Sequence, residues 1–381
     1  MIRYGIDDIE RAKDIWRENF TDSEEEIDFY FKTIYRDKNF LMLEEDGEIK
    51  ASLHENPYDI CFNRNILPSF YIVGVAVSPE YRGKGYMRKL LNHSLKNALS
   101  NNKDIVFLSP INTEIYSNFG FGYISGLEHY ELKLEDIPFN SINRDIEIKK
   151  AGEKDFNSII ELYNKKMENS NIYLKRDHSY LTRIKKEIEN ENGKIYVFYR
   201  EKRIVGYLMC YFREEEIFVR EFFYSDIESA KTMLAFIKTF KEYYPNLKVA
   251  TPQGSNFNFL FPNQLKIEKK ENPFILARIV NVKNILSYLD IKGINFNVKV
   301  RDNILDENNG VFSIEDGSVK KLDNIDEWNI DIDIRNLATL VSGYMSIDEL
   351  LELEKVRINN VDLKTLNNIF KKQKNYIQEF Q

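Results

Sequence analysis

The chain has 381 residues, 43% of them hydrophobic and 30% charged, with a net charge of −7. That length exceeds what one core of ordinary size organises, so two or three domains of a soluble globular protein are expected. The acidic balance argues against a nucleic-acid partner, the absence of any run of about 18 apolar residues argues against a membrane span, and the start Met1 to Trp16 lacks the apolar centre of a secretion signal, which makes the cytoplasm the expected location.

Residues 1–135 read as a mixed α/β unit. Ile6 to Phe20 and Glu24 to Tyr35 carry helical apolar spacing, and Asp22 or Ser23 is placed to cap the second helix. A hairpin is predicted from Phe40 to Glu44 and Ile49 to His54, turned at Asp46-Gly47. An apolar strand, Tyr71 to Val77, then runs into the basic loop Tyr81-Arg82-Gly83-Lys84-Gly85-Tyr86, and a helix follows at once from Met87 to Leu99. A loop of this kind turns several backbone N–H groups toward one point at a helix N-terminus, where the unpaired donors and the helix dipole favour an anion such as a phosphate. Gly83 and Gly85 let the backbone approach closely, and Arg82 and Lys84 add positive charge. Neither Gly-x-x-x-x-Gly-Lys-Ser/Thr nor Gly-x-Gly-x-x-Gly is present, so a P-loop and a dinucleotide loop are disfavoured. A strand at Ile105 to Leu108, the segment Ile115 to Tyr123 and a closing strand at Leu127 to Leu134 complete this unit.

Residues 146–280 repeat the same order of elements more faintly, which suggests duplication. At the loop position the second copy reads Tyr224-Ser225-Asp226-Ile227-Glu228-Ser229, with two acids and without glycine or arginine, so a phosphate cradle is not expected there. Residues 281–381 read as an α+β unit: Ile294 to Val300 and Ile330 to Ile334 alternate as half-buried strands, and helices are predicted near Ile334–Val341, Ser346–Glu354 and Val361–Lys372. Ser346 with Glu349 forms a capping-box pattern. Cys61 and Cys210 lie in apolar stretches and four histidines are scattered, so neither a disulfide framework nor a metal site is expected.

The strand, loop and helix around Arg82 resemble motif A of the GNAT acetyltransferases, where Arg/Gln-x-x-Gly-x-Gly/Ala cradles the pyrophosphate of acetyl-CoA. Arg82 and Gly85 match the first and fourth positions, while Met87 replaces the usual small residue. Over its full length the chain resembles the Eis-like acetyltransferases, in which that position is likewise large and apolar. Ile115-Tyr116-Ser117-Asn118-Phe119-Gly120-Phe121-Gly122 is similar to that family's Ile-Tyr-x-x-Phe-Gly-Phe/Tyr-Gly segment. Phe274 to Val282 is similar to its apolar strand with one arginine, here Arg278, that leads into a third domain. The resemblance implies an α/β (mixed α+β) protein with a catalytic GNAT domain at 1–140, a degenerate GNAT domain at 141–281 and a sterol-carrier-protein-like domain at 282–381.

It also implies a chemistry, with acetyl-CoA as co-substrate and no metal. The expected cofactor-binding set is Val75, Ala76 and Val77 on the strand and Arg82, Gly83, Lys84, Gly85, Tyr86 and Met87 on the loop, with the Val75 N–H facing the thioester oxygen. Tyr116 is the expected general acid, because a phenol with a pKa of about 10 is protonated at neutral pH and can pass its proton to a departing thiolate. The terminal carboxylate of Gln381 is the expected base, with Glu379 as a local alternative. The acidic run Asp22, Glu24, Glu25, Glu26 and Asp28 could face a cationic substrate, although such a run is more commonly a solvated helix face. The implied activity is direct transfer of an acetyl group, in a ternary complex, to a primary amine of a cationic small acceptor: aminoglycoside-like, polyamine-like or lysine. A homo-oligomer, a hexamer by resemblance, is expected, with no membrane or nucleic-acid partner. The alternative is a protein that binds or senses an acyl-CoA or lipid-like ligand without turnover.

Overall fold

The computed structural model describes residues 1–323 and 327–379. It comprises two compact units: Met1–Ser125 with Ser170–Lys175 and the chain from Phe274 onward form the first, and Gly126–Asn169 with Arg176–Pro273 form the second. In chain order the elements are β1 (Ile2–Tyr4), α1 (Ile9–Asn19), α2 (Glu24–Thr33), β2 (Phe40–Glu45), β3 (Glu48–Phe62), β4 (Asn65–Val77), α3 (Tyr86–Ser100), β5 (Ile105–Leu108), α4 (Thr113–Ser117) and β6 (Gly122–Lys133). They continue with β7 (Ile146–Lys150), α5 (Phe156–Met167), β8 (Ser170–Leu174), α6 (His178–Asn190), β9 (Lys194–Arg200), β10 (Arg203–Phe212), β11 (Glu216–Tyr224), α7 (Ile227–Lys238), β12 (Asn246–Pro252) and β13 (Glu268–Ile279). The last stretch holds α8 (Val282–Ser287), β14 (Asn295–Arg301), β15 (Gly310–Glu315), β16 (Ser318–Leu322), β17 (Ile330–Asp333), α9 (Ile334–Val341), α10 (Ile347–Glu352), β18 (Val356–Ile358), α11 (Leu363–Ile369) and β19 (Lys374–Tyr376).

In the first unit the strand order is β1-β2-β3-β4-β5-β13, antiparallel except at β4–β5. That parallel step needs a crossover, and α3 supplies it. Leu90, Leu91, Leu95 and Ala98 recur on one face of α3 and pack on Leu41, Leu53, Ile72 and Val106 of the sheet. The β3–β4 hairpin is much longer than Ile49–His54 and Tyr71–Val77 alone suggest, because Pro57 and Pro68 read as strand breakers. Pro57 falls between the part of β3 paired with β2 and the part paired with β8, so only β4 flanks it. The hairpin turns at Asn63-Arg64, both at positive φ (44° and 67°), a backbone whose twist matches that of the strands.

A second, five-stranded sheet in this unit runs β16-β15-β14-β17-β18, with α8, α9 and α10 against its strands and α11 against α10. The capping box at Ser346 and Glu349 is present. After the exposed Lys371, Lys372 and Gln373, the chain end forms β19, which pairs in parallel with β8.

The second unit has the order β6-β12-β11-β10-β9-β7, with its single parallel step at β11–β12, spanned by α7. The strand expected to close the first unit at Leu127 to Leu134 pairs instead with β12, from Leu127 opposite Pro252 to Lys133 opposite Asn246. Beside β5 its place is taken by Leu276–Ile279 of β13. Two strands of the same pattern compete for the same kind of edge, and local sequence does not say which edge each takes. No helix among the described residues is long and apolar enough to cross a membrane.

Candidate active site

Strand β4 loses its regular pairing just where the sequence places the acyl-binding residues. His54 pairs with Val73 and Ser52 with Ala76, so Gly74 and Val75 together oppose the single residue Leu53. This is a β-bulge, which interrupts the ladder and turns the backbone outward. Gly74 makes it feasible: its φ is +59°, and a Cβ there would lie 2.7 Å from the Trp16 ring. On the other side, β4 registers with β5 only at Tyr71–Phe107. The two strands therefore diverge beyond Tyr71, so that among the described residues the backbone of Val75, Ala76 and Val77 has no ladder partner on the β5 side. Ala76 is buried, while Val75 and Val77 are half-buried.

A short turn, Pro79–Tyr81, carries the chain into the glycine loop. Nine of the eleven α-helices among the described residues start with a side chain accepting a backbone N–H; α3 starts at Gly85, which has φ +79° and no side chain to do so. Gly83 has φ +77°, and a Cβ on either glycine would meet nothing within 4 Å. The loop thus leaves open space at an uncapped helix start, with room for an anion at the donors. Arg82 is exposed, with Nε donating to the Val77 carbonyl at 3.4 Å and a terminal nitrogen to Asn19 Oδ1 at 3.0 Å. Lys84 Nζ lies 4.8 Å from the Tyr81 ring centre. Tyr86 donates its hydroxyl to Glu45 at 2.7 Å, and both Tyr86 and Met87 pack against the first unit's core.

Tyr116 lies on α4, a helix of five residues capped by Asn112. Its ring packs edge-on against Phe121 with centroids 5.9 Å apart, and burial pushes its phenol up to about 12. Gln381, the expected base, lies outside the described residues. The segment leading to it is inside the first unit: Tyr376, Ile377, Gln378 and Glu379 are buried. Tyr58 of β3 donates to the Glu379 carboxylate at 2.7 Å, and Tyr71 of β4 donates to the Glu379 carbonyl at 3.3 Å. Burial raises the Tyr71 phenol most, Glu379 and Tyr116 reinforce the rise, and Ser109 opposes it. Sequence reading passed over Tyr58, Tyr71 and Asn19; the long hairpin register would have paired the two tyrosines' strands, but its prolines obscured it.

His54 was also passed over. It lies against Gly74, ringed by Phe40, Tyr30 and Trp16 at centroid distances of 4.9, 5.2 and 5.3 Å. Burial pushes it down to about 3, so this imidazole is neutral at physiological pH. The acidic run beside it is largely engaged in internal pairs. Asp28 meets Lys13 and Lys32, Glu24 meets Arg17, Asp22 accepts from the Trp16 indole, and Glu26 closes the Ser23 capping box.

In the second unit the corresponding helix start is closed. Asp226 caps α7 by accepting from the Ser229 N–H at 2.9 Å and is paired with Arg200 at 2.9 Å. Burial opposes its ionisation, but Arg200 and the serine hydrogen bonds hold it well below the usual carboxylate range. An anion of the protein's own already occupies that position. The bulge of β11 holds Arg220, which is buried and paired with Glu187 at 2.5 Å.

These features define an acyltransferase fold, present twice, joined to a third domain. Residues 2–124 match the family model for an Acetyltransferase (GNAT) domain and residues 173–279 match a second model of that description. Residues 282–378 match a Sterol carrier protein domain. The chain is a tandem GNAT protein with a C-terminal sterol-carrier-type domain. Among solved structures it is similar to a GCN5-related N-acetyltransferase from Anabaena variabilis ATCC 29413, at 19% identity over 98% of each chain with a TM-score of 0.86. It is also similar to a probable N-acyltransferase from Enterococcus faecalis V583, at 18% identity over 98% of this chain and 96% of that one, with a TM-score of 0.84. Eis1 from Mycobacterium abscessus aligns at 14% identity over 100% of this chain and 99% of that one, with a TM-score of 0.78. A search among curated proteins returns no match to this chain.

Proposed function

We propose that the protein is an acetyl-CoA-dependent N-acetyltransferase that transfers the acetyl group directly to a primary amine of a small cationic acceptor. The observation that carries this reading is the glycine loop at Gly83–Gly85 with its uncapped helix start, next to the edge of β4 where β4 and β5 diverge beyond Tyr71. The residues fit the co-substrate. The N–H groups at the start of α3, with Arg82 and Lys84, would hold its phosphates, and Val75 to Val77 would pair with its arm as an added strand would. Bound acetyl-CoA would supply the activated acyl group.

The chain's own groups then have three tasks. The Val75 N–H stabilises charge that develops on the acyl oxygen, which is worth most in a dry site. Tyr116, protonated across the physiological range, hands its proton to the departing sulfur. A carboxylate accepts the amine's proton; the terminal group of Gln381 is the proposed acceptor, and the burial of Tyr376 to Glu379 supports a tail directed into this unit. Because Glu24 and Asp28 of α2 are paired with cations of the same unit and Glu26 caps its own helix, the preference for a cationic acceptor rests on the net charge of −7 and the family resemblance. Aminoglycosides, polyamines and lysine are the acceptors to test first. A cytoplasmic location and a hexameric assembly belong to the same proposal.

The test is thiol release from acetyl-CoA with a panel of cationic amines. We expect at least one amine to accelerate release, and Tyr116→Phe to lower kcat about 100-fold with acetyl-CoA affinity unchanged. Tight acetyl-CoA binding that no amine converts into thiol release would favour the ligand-binding alternative.

A further inference from the structure

Arg278 is a fully buried cation on β13, and its guanidinium divides between two places. Its Nε donates to the Phe119 carbonyl at 2.7 Å, three residues beyond Tyr116. One terminal nitrogen reaches both carboxylate oxygens of Asp302 at 2.6 Å, and the other donates to the Ile279 carbonyl. Asp302 is held in turn by the backbone N–H groups of Ile304 at 2.9 Å and Leu305 at 3.2 Å, and by Asn308 Nδ2 at 2.9 Å. Neither Arg278 nor Asp302 exposes any side-chain area.

A buried ion pair of this kind rarely adds net stability over apolar residues of the same volume; what it fixes is geometry. The geometry here is that of the turn carrying Tyr116. α4 has five residues, too few to hold its own shape. The turn closes on Tyr116 itself, whose carbonyl accepts from the N–H groups of Phe119 at 3.0 Å and Phe121 at 3.3 Å. Arg278 grips that closure from outside, and Asn303 Nδ2 adds a hydrogen bond to the Asn118 carbonyl at 3.4 Å. Gly120 leaves the guanidinium room, since a Cβ there would lie 2.9 Å from Arg278 Nε.

We infer that Arg278 and Asp302 are a positioning pair for Tyr116, by which the start of the third domain sets the direction of proton delivery in the first. The inference rests on the assignment of Tyr116 as the acid. Arg278→Lys keeps a cation beside Asp302 but removes the forked reach to Phe119. We expect kcat for thiol release to fall about 10-fold or more, while KM for acetyl-CoA and its dissociation constant stay within about twofold. The decisive measurement is the cycle with Tyr116→Phe: the double variant should be no slower than Tyr116→Phe alone, because once the acid is gone its placement no longer matters. Effects on kcat that multiply would overturn the proposal, as would an unchanged kcat in Arg278→Lys. If Tyr116→Phe keeps full kcat, the acid assignment itself fails; a remaining Arg278→Lys defect would then show the pair acting on something else. Should Arg278→Lys not fold, the isosteric Asp302→Asn carries the same expectations, with circular dichroism and acetyl-CoA binding as the check on its fold.

Discussion

Tyr116 and Glu55 show how burial acts on single groups. Since burial pushes the Tyr116 phenol up to about 12, this group should impose no alkaline loss of kcat up to about pH 10, which a pH–rate profile checks. An alkaline limb near pH 8 that disappears in Tyr116→Phe would contradict that placement. Glu55 of β3 is buried, with Oε2 accepting from Tyr4 at 2.9 Å and Oε1 without a partner among the described residues. Burial raises its pKa, outweighing the opposing hydrogen bond from Tyr4. The folded state therefore binds the proton more tightly than the unfolded state. Stability is greatest at or below the unfolded carboxyl pKa, and it falls as pH rises from there through the raised folded value. Glu55→Gln should flatten that slope and raise Tm at pH 8, measured by thermal denaturation across pH.

At the scale of elements, the glycine loop is the feature whose function depends on backbone alone. Gly85→Ala would place a side chain in open space but at φ +79°, at a cost of about 1 kcal/mol of strain. The loop can relieve that strain only by rotating its N–H groups out of the cradle. The expected result is at least a fivefold weaker acetyl-CoA dissociation constant, by calorimetry, with a loss of no more than a few degrees in Tm. This loop was legible in the sequence because its glycines, its charges and the start of the helix lie within six residues. The Gly74 bulge was not, because a bulge is a mismatch between two strands and Leu53 is twenty-one residues away from Gly74. The same holds for the roles of Tyr58 and Tyr71, which depend on the register of a hairpin whose two prolines look like breaks. It holds too for the acidic run, whose charges could be counted in sequence while the pairing of Asp28 with Lys13 and Lys32 and of Glu24 with Arg17 could not.

For the molecule as a whole, the chain end belongs to the first unit's structure. β19 pairs with β8, and Tyr376 and Ile377 are 1% and 0% exposed. Burying two such side chains contributes about 4 kcal/mol, so removal of residues 374–381 should lower Tm by about 10 °C and abolish amine-dependent thiol release. A truncated protein with unchanged Tm and turnover would remove the tail from the site.

The order of elements, the duplication, the anion-binding loop and the segment around Tyr116 could all be read from the sequence, because each rests on local periodicity or on residues close together in the chain. Tertiary structure alone decided that Leu127 to Lys133 completes the second unit's sheet, that β13 takes the place beside β5, and that the tail enters the first unit as strand β19 paired with β8. It alone showed Arg278 gripping the turn of Tyr116 from more than 150 residues away. The physical reason is common to these cases: strand partners, buried ion pairs and docked ends are chosen by which surfaces meet in three dimensions, and a sequence specifies those meetings only through the fold as a whole.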